Sequence, residues 1–123
     1  MGTHFVVTNE SQVHENYKDM IIKARDIDSR VTGRSTGHPV RALRNQMTKE
    51  YLQKEQEGAS FEELELLTLG GLRKAVVEGD VKNGSVMAGQ IAGMVKEKMS
   101  CHDLIQKLVK ETDDLIGGKG FYE

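Results

Sequence analysis

His4-Phe5-Val6-Val7-Thr8 is the one clear β signal in the chain, and its apolar residues occupy consecutive positions. Unbroken apolar runs of this kind belong to strands buried on both faces, as in parallel sheets. Such a strand carries unpaired N–H and C=O groups along both edges, so it needs neighbours. The sequence supplies almost none: Val31-Thr32 is a weak second candidate, and the rest reads as helix and loop.

The helical readings follow spacing and punctuation. Val13, Tyr17, Met20, Ile21, Ala24 and Ile27 recur at three- and four-residue steps, which predicts one amphipathic helix. Arg30 to His38 is polar with two glycines and reads as an extended loop. Pro39, the single proline, suits the first turn of a second helix that turns Val40, Leu43, Met47 and Tyr51 inward and stops at Gly58-Ala59. Ser60 and Glu63 form a capping box for a third, which Gly70-Gly71 interrupts. Ser100 with Asp103 opens a last helix on Leu104, Ile105, Leu108, Val109, Leu115 and Ile116, ahead of a glycine tail at Gly117, Gly118 and Gly120.

Between these lies Gly79 to Gly93. A two-glycine turn leads to Ser85, where a helix is expected to begin, with small residues at Ala88, Gly89, Ala92 and Gly93. Glycines four apart on a helix leave a bare stripe that another backbone or a flat ligand can approach. Each costs up to ~1 kcal/mol relative to alanine, so the stripe needs one of those reasons.

Composition excludes several classes. A net charge of −2 argues against a dedicated nucleic-acid binder, which needs clustered excess cations. No apolar run approaches the ~20 residues of a membrane span. The lone Cys101 has no disulfide or CxxC partner, which fits a reducing, cytoplasmic setting. His4, His14, His38 and His102 are too scattered for a metal site, so none is expected. Arg30, Arg34 and Arg41 offer cations to an anionic substrate, although surface ion pairing is the commoner use. The acidic stretch from Glu50 to Glu65 reads as solvated helix faces.

Four motifs, in order, resemble one flavoenzyme family. They are Met1-Gly2-Thr3-His4-Phe5 with Asn9-Glu10-Ser11; Gly37-His38-Pro39-Val40-Arg41; Ala75-Val76-Val77-Glu78-Gly79-Asp80; and Gly84-Ser85-Val86-Met87-Ala88-Gly89-Gln90-Ile91-Ala92-Gly93. Together they resemble the C-terminal part of nitronate monooxygenase (2-nitropropane dioxygenase) and flavin-dependent enoyl-acyl-carrier-protein reductase II, over Met1 to about Lys110. The wording of the second and fourth motifs leans toward the reductase branch.

The resemblance implies an α/β fold class: a C-terminal fragment of a (β/α)8 TIM barrel, of which a full copy takes roughly 250 residues. The expected layout is one N-terminal strand and about five mostly amphipathic helices in a single partial domain. Residues 1–28 would be the last barrel strand and its helix, and residues 29–123 a helical extension packed at the flavin site. The implied cofactor is FMN, reduced by NADH or NADPH in the reductase branch to serve an enoyl thioester on acyl carrier protein. In the monooxygenase branch the substrate is an alkyl nitronate, with dioxygen. Residue by residue, the family's phosphate-holding Gly-Thr maps to Gly2 and Thr3, while His4 stands where the family usually has arginine. Met87 and Gln90 map near the flavin or substrate pocket. The family's catalytic histidine would lie upstream of Met1, so no catalytic residue is expected here and the chain alone is expected to be inactive. It would need the missing N-terminal barrel half, or further copies of itself, as partner. A non-enzymatic helical interaction module is the alternative reading.

Overall fold

Two short strands organise the computed structural model, which describes residues 1–117. Strand β1 (Ser29–Thr32) pairs antiparallel with β2 (Val40–Leu43), in a register that sets Ser29 opposite Leu43 and Thr32 opposite Val40. The weak Val31-Thr32 signal is therefore a real strand. Its partner is the segment expected to open a helix, and Pro39 precedes a strand instead. Proline donates no hydrogen bond, so it tolerates the residue before a ladder as readily as a first helical turn. Residues 86–88 then run along the outer edge of β2: the Leu43 N–H donates to the Val86 carbonyl at 2.9 Å, and Met87 bridges Ala42. The helix expected from Ser85 does not form. Its backbone groups are taken by the edge of β2, and only Gln90–Met94 closes into a 3₁₀ turn.

The expected N-terminal strand is likewise absent. Gly2–Val6 forms a short helix, α1, in which the His4 and Phe5 N–H groups donate to the Met1 carbonyl. Because β1 and β2 pair with each other, no strand among the described residues lies beside residues 4–8, and a helical turn pairs their backbone internally. Val7 and Thr8 are nonetheless buried, as the apolar run demanded.

Helix α2 (Glu15–Lys23) buries Tyr17 and Ile21. It ends before the expected Ile27, which is exposed, because Ala24 turns extended and the Asp28 carboxylate accepts from the Arg25 N–H at 2.9 Å. Lys18 on this helix is only 2% exposed; its ammonium donates to the Thr8 carbonyl at 2.8 Å and lies 3.4 Å from Glu15. Helix α3 (Gln46–Gln56) turns Met47 and Tyr51 inward as expected, and packs with Leu64 of α4 (Phe61–Thr68) in a small second core. Ser60 caps α4 by accepting from the Glu63 N–H. Gly70, at φ +70°, breaks the chain before α5 (Gly71–Val76). Helix α6 (Cys101–Leu115) is capped by Ser100 as expected and buries Leu104, but Ile105 and Leu115 remain exposed. Gly117 ends it with a positive φ, and Gly118 and Gly120 of the expected tail lie outside the described residues.

The small residues of the Gly79–Gly93 segment serve close backbone approach, though not as a helical stripe. A Cβ on Gly84 would come within 2.5 Å of the Asp80 carbonyl oxygen and 2.8 Å of the Ala75 nitrogen. On Gly93 it would lie 2.7 Å from the Asp26 nitrogen. Gly84→Ala is thus expected to lose about 1–3 kcal/mol by overpacking, whereas Gly2→Ala, with nothing within 4 Å, stays near wild type; urea unfolding of the two variants checks this.

An ion triad ties α2 to the segment before α6. Lys98 Nζ lies 2.8 Å from Glu15 and 2.5 Å from Asp19. Hydrogen bonds from Lys98 hold both carboxyls below their usual range, and Asp19 followed by Glu15 holds the ammonium above 10.5. The lowered carboxyls contribute stability that is lost as pH falls through their folded values. The raised ammonium contributes stability that is lost as pH rises through its own. The stability gap between wild type and Lys98→Met is therefore expected to be widest between roughly pH 5 and pH 10 and to close at both ends. It shrinks in high salt because the groups are solvent-facing. Urea midpoints across pH read the gap directly.

Candidate functional site

One hydrogen bond joins the N-terminal motif to the glycine-rich one, and two more hold the glycine-rich segment against α2 and β2. The Gly89 N–H donates to Thr3 Oγ1 at 2.8 Å, across 86 residues. Tyr17 on α2 donates its hydroxyl to the Met87 carbonyl at 2.6 Å. Between them the Ala88 N–H reaches the Arg41 carbonyl at 3.4 Å. Thr3 therefore meets the Met87–Gln90 segment in space, at Gly89. No side chain caps the first turn of α1, and the space beside Gly2 is open.

Met87 and Gln90 do not serve one cavity. Met87 lines a cleft of about 350 Å³ between the sheet and helices α3 to α5, together with Ala42, Tyr51 and Leu72. Gln90 is exposed at the start of the 3₁₀ turn, beside the open apolar side chains of Ile91 and Met94. The pair expected in one pocket is split because Ser85–Gly89 is extended, so residues 87 and 90 are not on one helical face.

The arginines do not converge on an anion. Arg30 donates to the carbonyls of Ile27 and Ser29, Arg41 donates to Ser29 Oγ at 2.8 Å, and Arg34 stands near Glu55. His4 is held below its usual pKa by burial, then by Lys107, so it presents a neutral ring near pH 7. The Cys101 N–H donates to the Glu10 carboxylate at 3.0 Å, an N-terminal helix contact of a structural kind. Among the described residues no group of three or more His, Cys, Asp and Glu is placed to hold a metal, and no helix is long and apolar enough to cross a membrane.

Two contributors escaped the sequence reading. Tyr17 reads there as one more core residue of an amphipathic helix, and nothing local announces a hydroxyl contact 70 residues away. Glu55 sits in a stretch read as a solvated face. Its carboxylate accepts from the Gly33 N–H, the Ser35 N–H and Ser35 Oγ, clipping the 33–38 loop onto α3. Burial raises the Glu55 carboxyl, but donation from Ser35 and Gly33 outweighs it and leaves the group below its usual value.

Tyr17→Phe leaves the Met87 carbonyl without its donor. It is expected to cost about 1–2 kcal/mol of unfolding free energy, and to shift the amide resonances of residues 87–89 while leaving those of α4 in place. A urea titration and a two-dimensional amide spectrum test both halves.

Comparison with known proteins agrees with this geometry. Residues 1–111 match the sequence profile of the family described as nitronate monooxygenase. The chain is 27% identical over 116 residues to a probable nitronate monooxygenase of Staphylococcus saprophyticus, covering 94% of this chain and 32% of that protein. It is 26% identical over 111 residues to one of Bacillus subtilis, covering 90% and 32%. The fold superposes on the structure of FabK from Thermotoga maritima with a TM-score of 0.88 and 40% identity, over 94% of this chain and 37% of that one. A point mutant of the same FabK superposes at 0.78 with 36% identity, over 94% and 34%. The chain thus spans about a third of the length of each relative.

Proposed function

The chain belongs to the nitronate monooxygenase family, and we propose that it is the C-terminal portion of an FMN-dependent oxidoreductase of the enoyl-acyl-carrier-protein reductase II type. The observation that carries the branch is the gap in likeness: 40% identity to FabK against 27% to a probable nitronate monooxygenase. The second reading, oxidation of alkyl nitronates with dioxygen, is favoured by the family description and by the names of the curated relatives.

In this reading residues 1–28, with helix α1 where the last barrel strand was expected, adjoin the barrel, and the helical part that follows packs over the flavin as one partial domain. Gly2 and Thr3 hold the FMN phosphate, in line with the family pattern and with the open space beside Gly2. The Thr3 hydroxyl is already engaged by the Gly89 N–H, so Thr3 both shapes the turn and aligns the Met87–Gln90 segment with it. When bound, FMN supplies the hydride chemistry, passing reducing equivalents from NADH or NADPH to an enoyl thioester on acyl carrier protein. This chain's own residues orient and cover that centre, with Met87 from the cleft and Gln90 from the exposed 3₁₀ turn bordering the flavin or substrate pocket, in a cytoplasmic protein. Catalysis requires the remaining barrel half or an equivalent supplied by oligomerisation. The open apolar side chains Ile91, Met94, Leu66, Leu69, Ile105 and Leu115 support such a partner.

The test is the visible absorption spectrum of the purified chain with and without added FMN. A weak or absent bound-flavin spectrum is expected for the chain alone, with binding and thioester reduction appearing when the N-terminal barrel half is co-expressed. Failure of the reconstituted pair to take up flavin would sink the proposal. Oxidation of nitronates without reduction of enoyl thioesters would transfer it to the other branch.

A further inference from the structure

A second hollow lies on the other side of α3 from the cleft that Met87 lines. Met47 and Tyr51 face that cleft, whereas Lys49, Gln53 and Gln56 recur at steps of four and three and share the opposite stripe of the helix. With Arg30 of β1 and Arg44 just beyond β2, the stripe borders a groove of about 680 Å³. That volume lies well within the ~300–1,000 Å³ usual for small-molecule sites.

Charge sets this groove apart. Three cations line it and, among the described residues, no carboxylate does, in a chain whose net charge is −2. Two carboxylates touch its lining residues from outside: Asp28 accepts from Arg44 but also from Arg25, and Glu50 accepts from Gln46. Arg30 is half-buried, and its Nη1 donates to the Ile27 and Ser29 carbonyls. Its other donors and the Lys49 ammonium meet no carboxylate among the described residues. The fold thus separates Arg30 from Arg34 and Arg41 and sets it in one groove with Arg44 and Lys49. Like charges gathered this way repel, and a bound anion relieves the repulsion. A guanidinium already fixed by backbone carbonyls loses little freedom on binding, and its planar fork matches a phosphoryl oxyanion.

The remaining lining residues narrow the anion. Asn45 and Thr48 commit their side chains to each other's backbone and, for Asn45, to the 81–84 turn, which leaves Gln53 and Gln56 as neutral donors. Among the described residues no aromatic ring lines the groove, and Leu52 is its one apolar side chain. A nucleobase or nicotinamide therefore finds nothing to stack on.

We propose that this groove is a site for a compact phosphoryl polyanion, a free diphosphate or a small phosphomonoester, held by Arg30, Arg44 and Lys49. The site is separate from Gly2-Thr3 and from the Met87 cleft, and it stands for either branch of the family.

The experiment titrates the whole chain with pyrophosphate, inorganic phosphate, glycerol phosphate and ADP at physiological ionic strength, by calorimetry and by a two-dimensional amide spectrum. Pyrophosphate should saturate with a dissociation constant of about 1 mM or tighter, and inorganic phosphate should bind about tenfold more weakly for its lower charge. Glycerol phosphate binding tighter than pyrophosphate would assign the site to a phosphomonoester. ADP carries the same diphosphate and should bind no tighter than pyrophosphate. The side-chain amides of Gln53 and Gln56 should shift while the backbone amides of the 33–38 loop stay put. Arg30→Gln should weaken pyrophosphate about tenfold or more, and Lys49→Gln about fivefold. Lys54→Gln, which removes the same charge from α3 outside the groove, should leave binding unchanged. Lys49 is exposed, so its variant keeps the test open if Arg30→Gln does not fold. Failure to saturate, equal weakening by Lys54→Gln and Lys49→Gln, or tighter binding of ADP than of pyrophosphate would overturn the proposal.

Discussion

The side-chain amide of Asn45 is the contact on which the arrangement depends. Its oxygen accepts from the Thr48 N–H at 2.9 Å and starts α3, and the Asn45 N–H donates in turn to Thr48 Oγ1 at 2.8 Å. Its nitrogen donates to the Val81 and Gly84 carbonyls at 2.8 and 2.7 Å. One residue thereby stops β2, starts a helix and holds a turn some forty positions away. Because the turn is held there, residues 86–88 emerge alongside β2 and complete its edge. An amide can do this because it offers donors and an acceptor at once; a carboxylate would cap the helix but repel the two carbonyls.

Everything functional follows from that docked edge. Met87 turns its side chain into the cleft and its carbonyl toward Tyr17, while Gly89 turns its N–H toward Thr3. The two ends of the family pattern, Gly2-Thr3 and Met87-Gly89, are joined by the Thr3 hydroxyl accepting from the Gly89 N–H, so the junction depends on that side chain as well as on the lack of bulk at Gly84 and Gly93. Lys18 and the Lys98 triad fix α2 against the segments on either side of it. Tyr17 is thus presented from a helix whose first half is anchored to the segments before it and before α6. The apolar side chains left open on α4, α6 and the 3₁₀ turn mark the faces that a longer relative has chain enough to cover.

Local signals in the sequence were legible where one residue decides one thing. Ser60 and Ser100 start helices, Gly70 breaks one, and Met47, Tyr51 and Leu104 turn inward. The four ordered motifs were enough for the family. Signals failed where two conformations satisfy the same residues. Val40-Arg41-Ala42-Leu43 carries apolar residues at spacings that suit helix or strand, and only pairing with Ser29–Thr32 selects strand. Small residues from Gly84 to Gly93 permit close approach in any backbone state, so their presence could not say whether a helix or an extended edge was approaching.

What the sequence determined by itself, then, was the kind of chain: helix-rich, with a buried N-terminal apolar run, four family motifs and no excess of cations for nucleic acid. Tertiary structure alone decided which residues share a site. A strand edge is worth its hydrogen bonds only when another segment arrives in register, and that arrival depends on Asn45 and Val81–Gly84 meeting across the fold. The same requirement turned residues 2–6 into a helix where no strand among the described residues lay beside them, and it put Met87 in the cleft and left Gln90 exposed outside it. Side-chain periodicity is written along the chain; the satisfaction of backbone donors and acceptors is settled between its distant parts.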